Sequence, residues 1–326
     1  MWRLILAGTI VAVACVAGAM TVQSTGISAP AFRALTEEKA EAVVLQMSRD
    51  TDPAHAWRFL KEALLPNDIL AASENNPHQL AHVLGQESYR QLGIDGISVC
   101  DQSFTFGCYH GFVRALIDDT GESADIVHAC EKTPNVGGCA HGVGHALGTN
   151  DLTHALHECD VLFDTFNFSC WGGVFMEYIK TYTPPRVNDF WSLCMSVPAK
   201  YRLECAQGIP GRMSASKADD VAAECEHGSN DALRRSCADA FGSETVMRSG
   251  GDAQKINELC MFLAPTLRFD CYTAAARLVV QRSQANAERD AQWLCDHAPV
   301  DSQKCTQGFK DTLESLRQQA RPVVHQ

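Results

Sequence analysis

Five histidines are the residues of this chain whose type and spacing could do chemistry. His78 and His82, and again His141 and His145, stand four apart, so each pair shares one face of a helix if its segment is helical. His110 lies between the pairs, 32 residues after His78 and 31 before His141. Neutral imidazole binds zinc, copper and iron well, and the four-residue spacing aims two nitrogens at one point. The pattern therefore predicts a transition-metal site with His78, His82, His110, His141 and His145 as ligands for one or two ions, the metal being zinc, copper or iron. The His-Glu-x-x-His motif of metalloproteases is absent, because Gly142 stands where its glutamate would be. Catalytic groups would have to come from elsewhere. Arg114, at the position equivalent to His82 and His145, could orient an anionic substrate group beside a metal-bound water, and Glu87 and Glu177 are the nearest carboxylates.

The same histidines admit a plainer reading, in which buried polar side chains hydrogen-bond successive helices and hold them in register without metal. Other imidazoles carry less. His154 and His157 read as outer-face residues, His128, His227 and His297 sit beside cysteines near turns, and His55 falls in a helix's first turn. No Cys-x-x-Cys-His is present, so c-type haem attachment is excluded on its usual motif. There is also no glycine-rich phosphate loop or nucleophile elbow.

The elements that must position these histidines recur along the chain. His78-Gln-Leu-Ala-His82, His110-Gly-Phe-Val-Arg114 and His141-Gly-Val-Gly-His145 are variants of one apolar helical segment, and Gly172-Gly-Val-Phe-Met176 is a fourth that has lost both imidazoles. Cysteines set the beat. Apart from Cys15 they fall into consecutive couples: Cys100 with Cys108, Cys130 with Cys139, Cys159 with Cys170, Cys194 with Cys205, Cys225 with Cys237, Cys260 with Cys271, and Cys295 with Cys305. Each couple straddles a short turn between two helix-period segments, which describes a stapled helical hairpin. Second members of the couples recur every 31 to 35 residues, a period that signals stacked helix pairs. The sequence admits other connectivities, and repetition favours the neighbouring one. The expected fold is an all-α, right-handed solenoid of about eight stacked helical hairpins, seven of them stapled by a disulfide. Position two after each second cysteine then forms a ladder of His110, His141, Gly172, Gln207, Asp239, Thr273 and Gln307, with its imidazoles confined to the N-terminal rungs.

Around that array the chain divides into a signal peptide or signal anchor (1–20), a tether (21–35), N-terminal helices (36–75), the stapled repeats (76–316) and a frayed tail (317–326). The cysteine rhythm, as in His128-Ala-Cys130 through Gly137-Gly-Cys139, resembles the disulfide-locked Sel1-like repeats of secreted bacterial cysteine-rich proteins over Cys100 to Cys305. That resemblance implies a curved scaffold with a concave face that binds protein or peptide. The histidine ladder is no part of that family's pattern.

Composition narrows the function classes. With 39 acidic against 27 basic residues, a net charge of -12 and no basic stripe interleaved with aromatics, nucleic acid is excluded as a partner. Fifteen cysteines without Cys-x-x-Cys pairs predict an oxidising compartment. The uncharged run from Leu4 to Met20 behind Arg3 predicts export to the periplasm or the extracellular space, with membrane contact only through that segment, cleaved or retained as an anchor. Two functions fit: an exported protein with a histidine-rich transition-metal site, open to metal-assisted catalysis on a substrate the sequence does not name, or a non-catalytic scaffold binding a protein or peptide. Whether the chain is an enzyme is left open.

Overall fold

Helix signals are written densely into the sequence, and the computed structural model follows them. It describes residues 26–66, 75–120, 123–148, 151–181, 190–214, 217–282, 286–299 and 301–319. Every regular element among them is helical. Residues 1–25, which hold the expected signal segment, Cys15 and the start of the tether, lie outside the described residues. Among the described residues no helix is long and apolar enough to cross a membrane.

The stretch expected as a tether contains a short helix. Ser28 accepts a hydrogen bond from the Ala31 N–H and Pro30 sits in the first turn of a helix, α1 (Ala29–Arg33), whose Phe32 is fully buried. Phe32 packs edge-on against Phe59 with ring centres 5.1 Å apart, and Arg33 donates to the Ala63 carbonyl at 2.8 Å. Helices α2 (Glu37–Asp50) and α3 (Pro53–Leu64) follow, the latter capped by Asp52. At the other end, the final helix continues to Gln319, into the stretch expected to fray.

From Asn76 onward the chain alternates between two kinds of helix. One set is α4 (Pro77–Leu92), α5 (Gly107–Thr120), α7 (Val136–Leu147), α9 (Asn167–Thr181), α11 (Arg202–Gly208), α13 (Asp231–Ser249), α15 (Arg268–Gln281) and α17 (Ser302–Gln319). Each packs against the next of its set, so the row runs unbroken from α4 to α17. The intervening helices, α6 (Ser123–Glu131), α8 (Leu152–Leu162), α10 (Phe190–Ser196), α12 (Ala218–Glu226), α14 (Ala253–Cys260) and α16 (Ala287–His297), lead into them as the first arms of hairpins.

Each hairpin is stapled as its cysteine couple predicts. Disulfides join Cys100–Cys108, Cys130–Cys139, Cys159–Cys170, Cys194–Cys205, Cys225–Cys237, Cys260–Cys271 and Cys295–Cys305, with Cα atoms 5.3 to 5.9 Å apart. All fourteen sulfurs sit in the core, continuous with Tyr109, Phe112, Phe175, Phe241 and Tyr272. The first staple departs from the pattern. Its leading arm is a 3-10 segment, Gly93–Val99, entered at Gly93 with φ 60°, so α4 turns straight into it.

Candidate metal centre

Each histidine is placed by a local device. Asn76 caps α4 by accepting from the backbone N–H of His78 at 3.1 Å and of Gln79 at 3.4 Å, which fixes His78 in the first turn with His82 one turn on. Asn135 caps α7 through the Gly138 N–H at 2.7 Å, and His141 and His145 follow on one face. His110 sits near the start of α5. Glycine then lets the helices approach closely: a Cβ at Gly111 on α5 would lie 1.9 Å from the His82 carbonyl oxygen of α4, and one at Gly142 on α7 3.3 Å from that of Tyr109 on α5. At that spacing rings on α4, α5 and α7 meet.

They form two triads that share one member. His78, His82 and His110 bring one nitrogen each within 4.8 Å of one another, and so do His110, His141 and His145. In the first triad His82 Nε2 is 3.0 Å from His78 Nε2 and 3.3 Å from His110 Nδ1. In the second, His145 Nε2 is 3.2 Å from His141 Nε2, and the His110 and His145 ring centres are 4.7 Å apart. Two nitrogens bound to one tetrahedral ion at 2.0–2.1 Å stand about 3.3 Å apart, the separation that the His78–His82, His82–His110 and His141–His145 nitrogens already have.

The outward nitrogens are held by the chain. His78 Nδ1 is 2.7 Å from the Phe104 carbonyl oxygen, and His141 Nδ1 is 3.2 Å from that of Ser169. His145 Nδ1 lies 3.3 Å from Glu177 Oε2. Such contacts orient metal-binding imidazoles and leave the opposite nitrogen as donor. The Phe104 carbonyl is aimed by an uncommon turn: Phe104, Thr105 and Phe106 have φ of 55°, 57° and 63°, a left-handed conformation that side chains disfavour and that clusters at functional sites.

Proton counting shows what hydrogen bonds alone cannot do here. With His78 Nδ1–H donating to Phe104, His78 Nε2 is a lone pair. If His82 Nε2 carries a proton for it, His110 Nδ1 can only accept. The His110 proton is then on Nε2, which is buried and has no hydrogen-bond partner in the protein. If the proton is instead on His110 Nδ1 and donated to His82, two lone pairs face each other across 3.0 Å and His110 Nε2 is still unsatisfied. A cation at the centre of each triad satisfies every one of these nitrogens.

Burial keeps the His110 and His141 rings neutral. Desolvation first, then the four neighbouring imidazoles, hold His110 well below the usual histidine range. Desolvation and His145 push His141 down to about 3. Neutral imidazole is the form that binds metal.

The catalytic candidates fare unequally. Glu177 joins the cluster through His145. Glu87 does not: it is buried with its carboxylate 3.6 Å from Arg49 and 3.8 Å from Arg90, and it accepts from Gln91 at 2.9 Å. Nine residues past His78, it falls on the opposite face of α4, toward α2. Arg114 is half exposed and donates to both oxygens of Asp118 at 3.1 Å, a pairing along its own helix. Gly142 gains a reason, since a Cβ there would press to 3.3 Å from the His110 ring. Two C-terminal rungs of the polar ladder are already paired: Arg277 donates to Asp239, and Gln307 to Asp311 at 2.6 Å. Sequence reasoning missed the Phe104 and Ser169 carbonyls, which bear no residue-type signal.

Comparison with protein-family models, with curated proteins and with solved structures gives no match. The likeness to Sel1-like repeats therefore rests on cysteine rhythm alone.

Proposed function

We propose that the chain is an exported helical-repeat solenoid whose first repeats bind a transition metal through His78, His82, His110, His141 and His145. The observation that carries this reading is the buried His110 Nε2, which has no protein partner while two further imidazoles converge on the same ring. Seven disulfides support the oxidising compartment that export implies. They also staple the hairpins without help from an ion, so the metal serves activity or carriage rather than folding. Three nitrogen donors per triad leave a fourth position for water or an anionic group, the arrangement of catalytic rather than structural zinc sites. Zinc and copper suit an all-nitrogen donor set. Elemental analysis of protein purified without a His tag tests the reading. At least one equivalent of transition metal is expected, falling in His141→Ala/His145→Ala. Less than a tenth of an equivalent, unchanged in that variant, overturns it.

A further inference from the structure

We infer that His110 is a bridging imidazolate joining two metal ions in one dinuclear centre. The inference rests on the metal-binding reading above and goes beyond it in fixing the number of ions and the group between them.

A histidine that serves one ion presents one nitrogen to it and turns the other to a carbonyl, a carboxylate or solvent. His78, His141 and His145 do so here, with Phe104, Ser169 and Glu177. His110 does not. Its Nδ1 faces His82, 3.3 Å away, within the α4 triad. Its Nε2 is buried and has no hydrogen-bond partner, and the His141 and His145 rings lie 5.6 and 4.7 Å from its own between centres. His110 is the member common to both triads, and with Nδ1 turned to His82 it is Nε2 that is left for His141 and His145.

One ion cannot use both nitrogens of a ring, whose lone pairs point apart. Two ions can. The first displaces no proton if it takes the nitrogen that carries a lone pair. The second takes the nitrogen bearing the N–H, and that proton leaves to solvent as the second metal–nitrogen bond forms, giving an imidazolate with one bond to each ion. With metal–nitrogen bonds of 2.0–2.1 Å the ions stand roughly 6 Å apart. Each keeps three imidazole ligands and one open position. The flanking halves are built alike: an i,i+4 histidine pair whose Nε2 atoms meet at 3.0 and 3.2 Å, with the first histidine of each anchored by Nδ1 to a backbone carbonyl.

Copper(II) titration of the full-length, metal-free protein, followed by electron paramagnetic resonance, tests this. An imidazolate couples two copper(II) spins antiferromagnetically, so the signal should grow to one equivalent and fall as the second binds, with one proton released to a weakly buffered solution. His78→Ala/His82→Ala should keep one ion with an uncoupled signal, and so should His141→Ala/His145→Ala. These pairs are partly exposed, and circular dichroism reports whether each variant is folded. Two equivalents with additive, uncoupled signals overturn the bridge, as does saturation at one equivalent, and both leave the metal-binding reading standing. Failure to retain copper or zinc at all overturns both.

Discussion

On α7 the positions two and six past the second cysteine of a couple hold His141 and His145. On α13 the first of these positions holds Asp239, and on α15 the second holds Arg277. The packing around them is the same. A Cβ at Gly144 on α7 would strike the Cys170 carbonyl of α9 at 1.9 Å, and one at Gly242 on α13 would strike that of Cys271 on α15 at 2.2 Å. In the C-terminal pair the polar ladder closes on itself: Arg277 donates to Asp239, and although burial pushes the Asp239 carboxyl up, Arg277 pulls it back. Among α4, α5 and α7 like rings face like rings, and a buried nitrogen stays unsatisfied. Register between neighbouring helices can therefore be held by an ion pair, as α13 and α15 show. Histidines are not needed for that, and five of them in one place ask for another explanation.

The staples are common to both regions, so removing one separates what is shared from what is not. Closing loops of 9 and 11 residues, Cys130–Cys139 and Cys260–Cys271 should each contribute about 2–3 kcal/mol. Cys130→Ser/Cys139→Ser and Cys260→Ser/Cys271→Ser should lose similar stability in chemical denaturation. Only the first should also weaken zinc binding, because it loosens α7. Equal loss of affinity in both would mean that the metal site is not local to the N-terminal rungs.

Glu177 sharpens the contrast. Its carboxylate holds His145 from behind, so Glu177→Gln should weaken zinc binding roughly 10–100-fold by competition titration. Asp239→Asn, in the C-terminal pair, should leave it unchanged.

The C-terminal half adds to the metal-free protein an acid dependence opposite in sign to that of His110 and His141, which fold neutral and so cost stability as the pH falls below about 6.5. Burial raises Glu244, on α13, to about 7 from 4.5, with Arg248 opposing the shift. The folded protein thus binds a proton more tightly than the unfolded chain does. Its contribution is fully favourable below about 4.5, declines as the pH rises toward 7, and is gone above that. Since the side chain keeps some solvent access, the loss should be about 1–2 kcal/mol. The difference in denaturation midpoint between the parent protein and Glu244→Gln should change by the equivalent of this amount between pH 4.5 and 7.5. A difference that does not vary with pH would mean that Glu244 does not carry the effect.

How much of this was legible beforehand differs with the physics. Covalent and periodic features were: seven cysteine couples predicted seven staples, and histidines at matched rungs predicted a cluster. Long-range placement was not. Glu87 looked as available as Glu177 because both are carboxylates near a histidine segment, and only the rotation of α4 sends Glu87 to Arg49 and Arg90. Arg114 holds the ladder position of His145, but its longer side chain reaches Asp118 along its own helix. The Phe104 turn was invisible because three consecutive non-glycine residues with positive φ carry no sequence signal. Phe32 was read into a tether because a five-residue helix is too short to show a period.

The smallest expected effect is the most diagnostic. Arg277→Met removes the partner of a carboxylate whose side chain is 38 % exposed, so in the metal-free protein it should cost up to about 1 kcal/mol, much of the charge being screened by solvent. His110→Leu should cost nothing measurable or stabilise slightly. It replaces a buried ring whose Nε2 is unsatisfied, at about 1–3 kcal/mol for such an atom, with an apolar side chain of similar volume, and this offsets the lost contact to His82. Guanidinium denaturation of both variants in chelator makes the comparison directly. If His110→Leu were the more damaging by over 1 kcal/mol, the imidazoles would be locking register as Asp239 and Arg277 do, and the two halves of the chain would differ in residue type only. The reverse order means that His110 is retained at a cost to the metal-free fold, which is the expected mark of a side chain kept for a ligand.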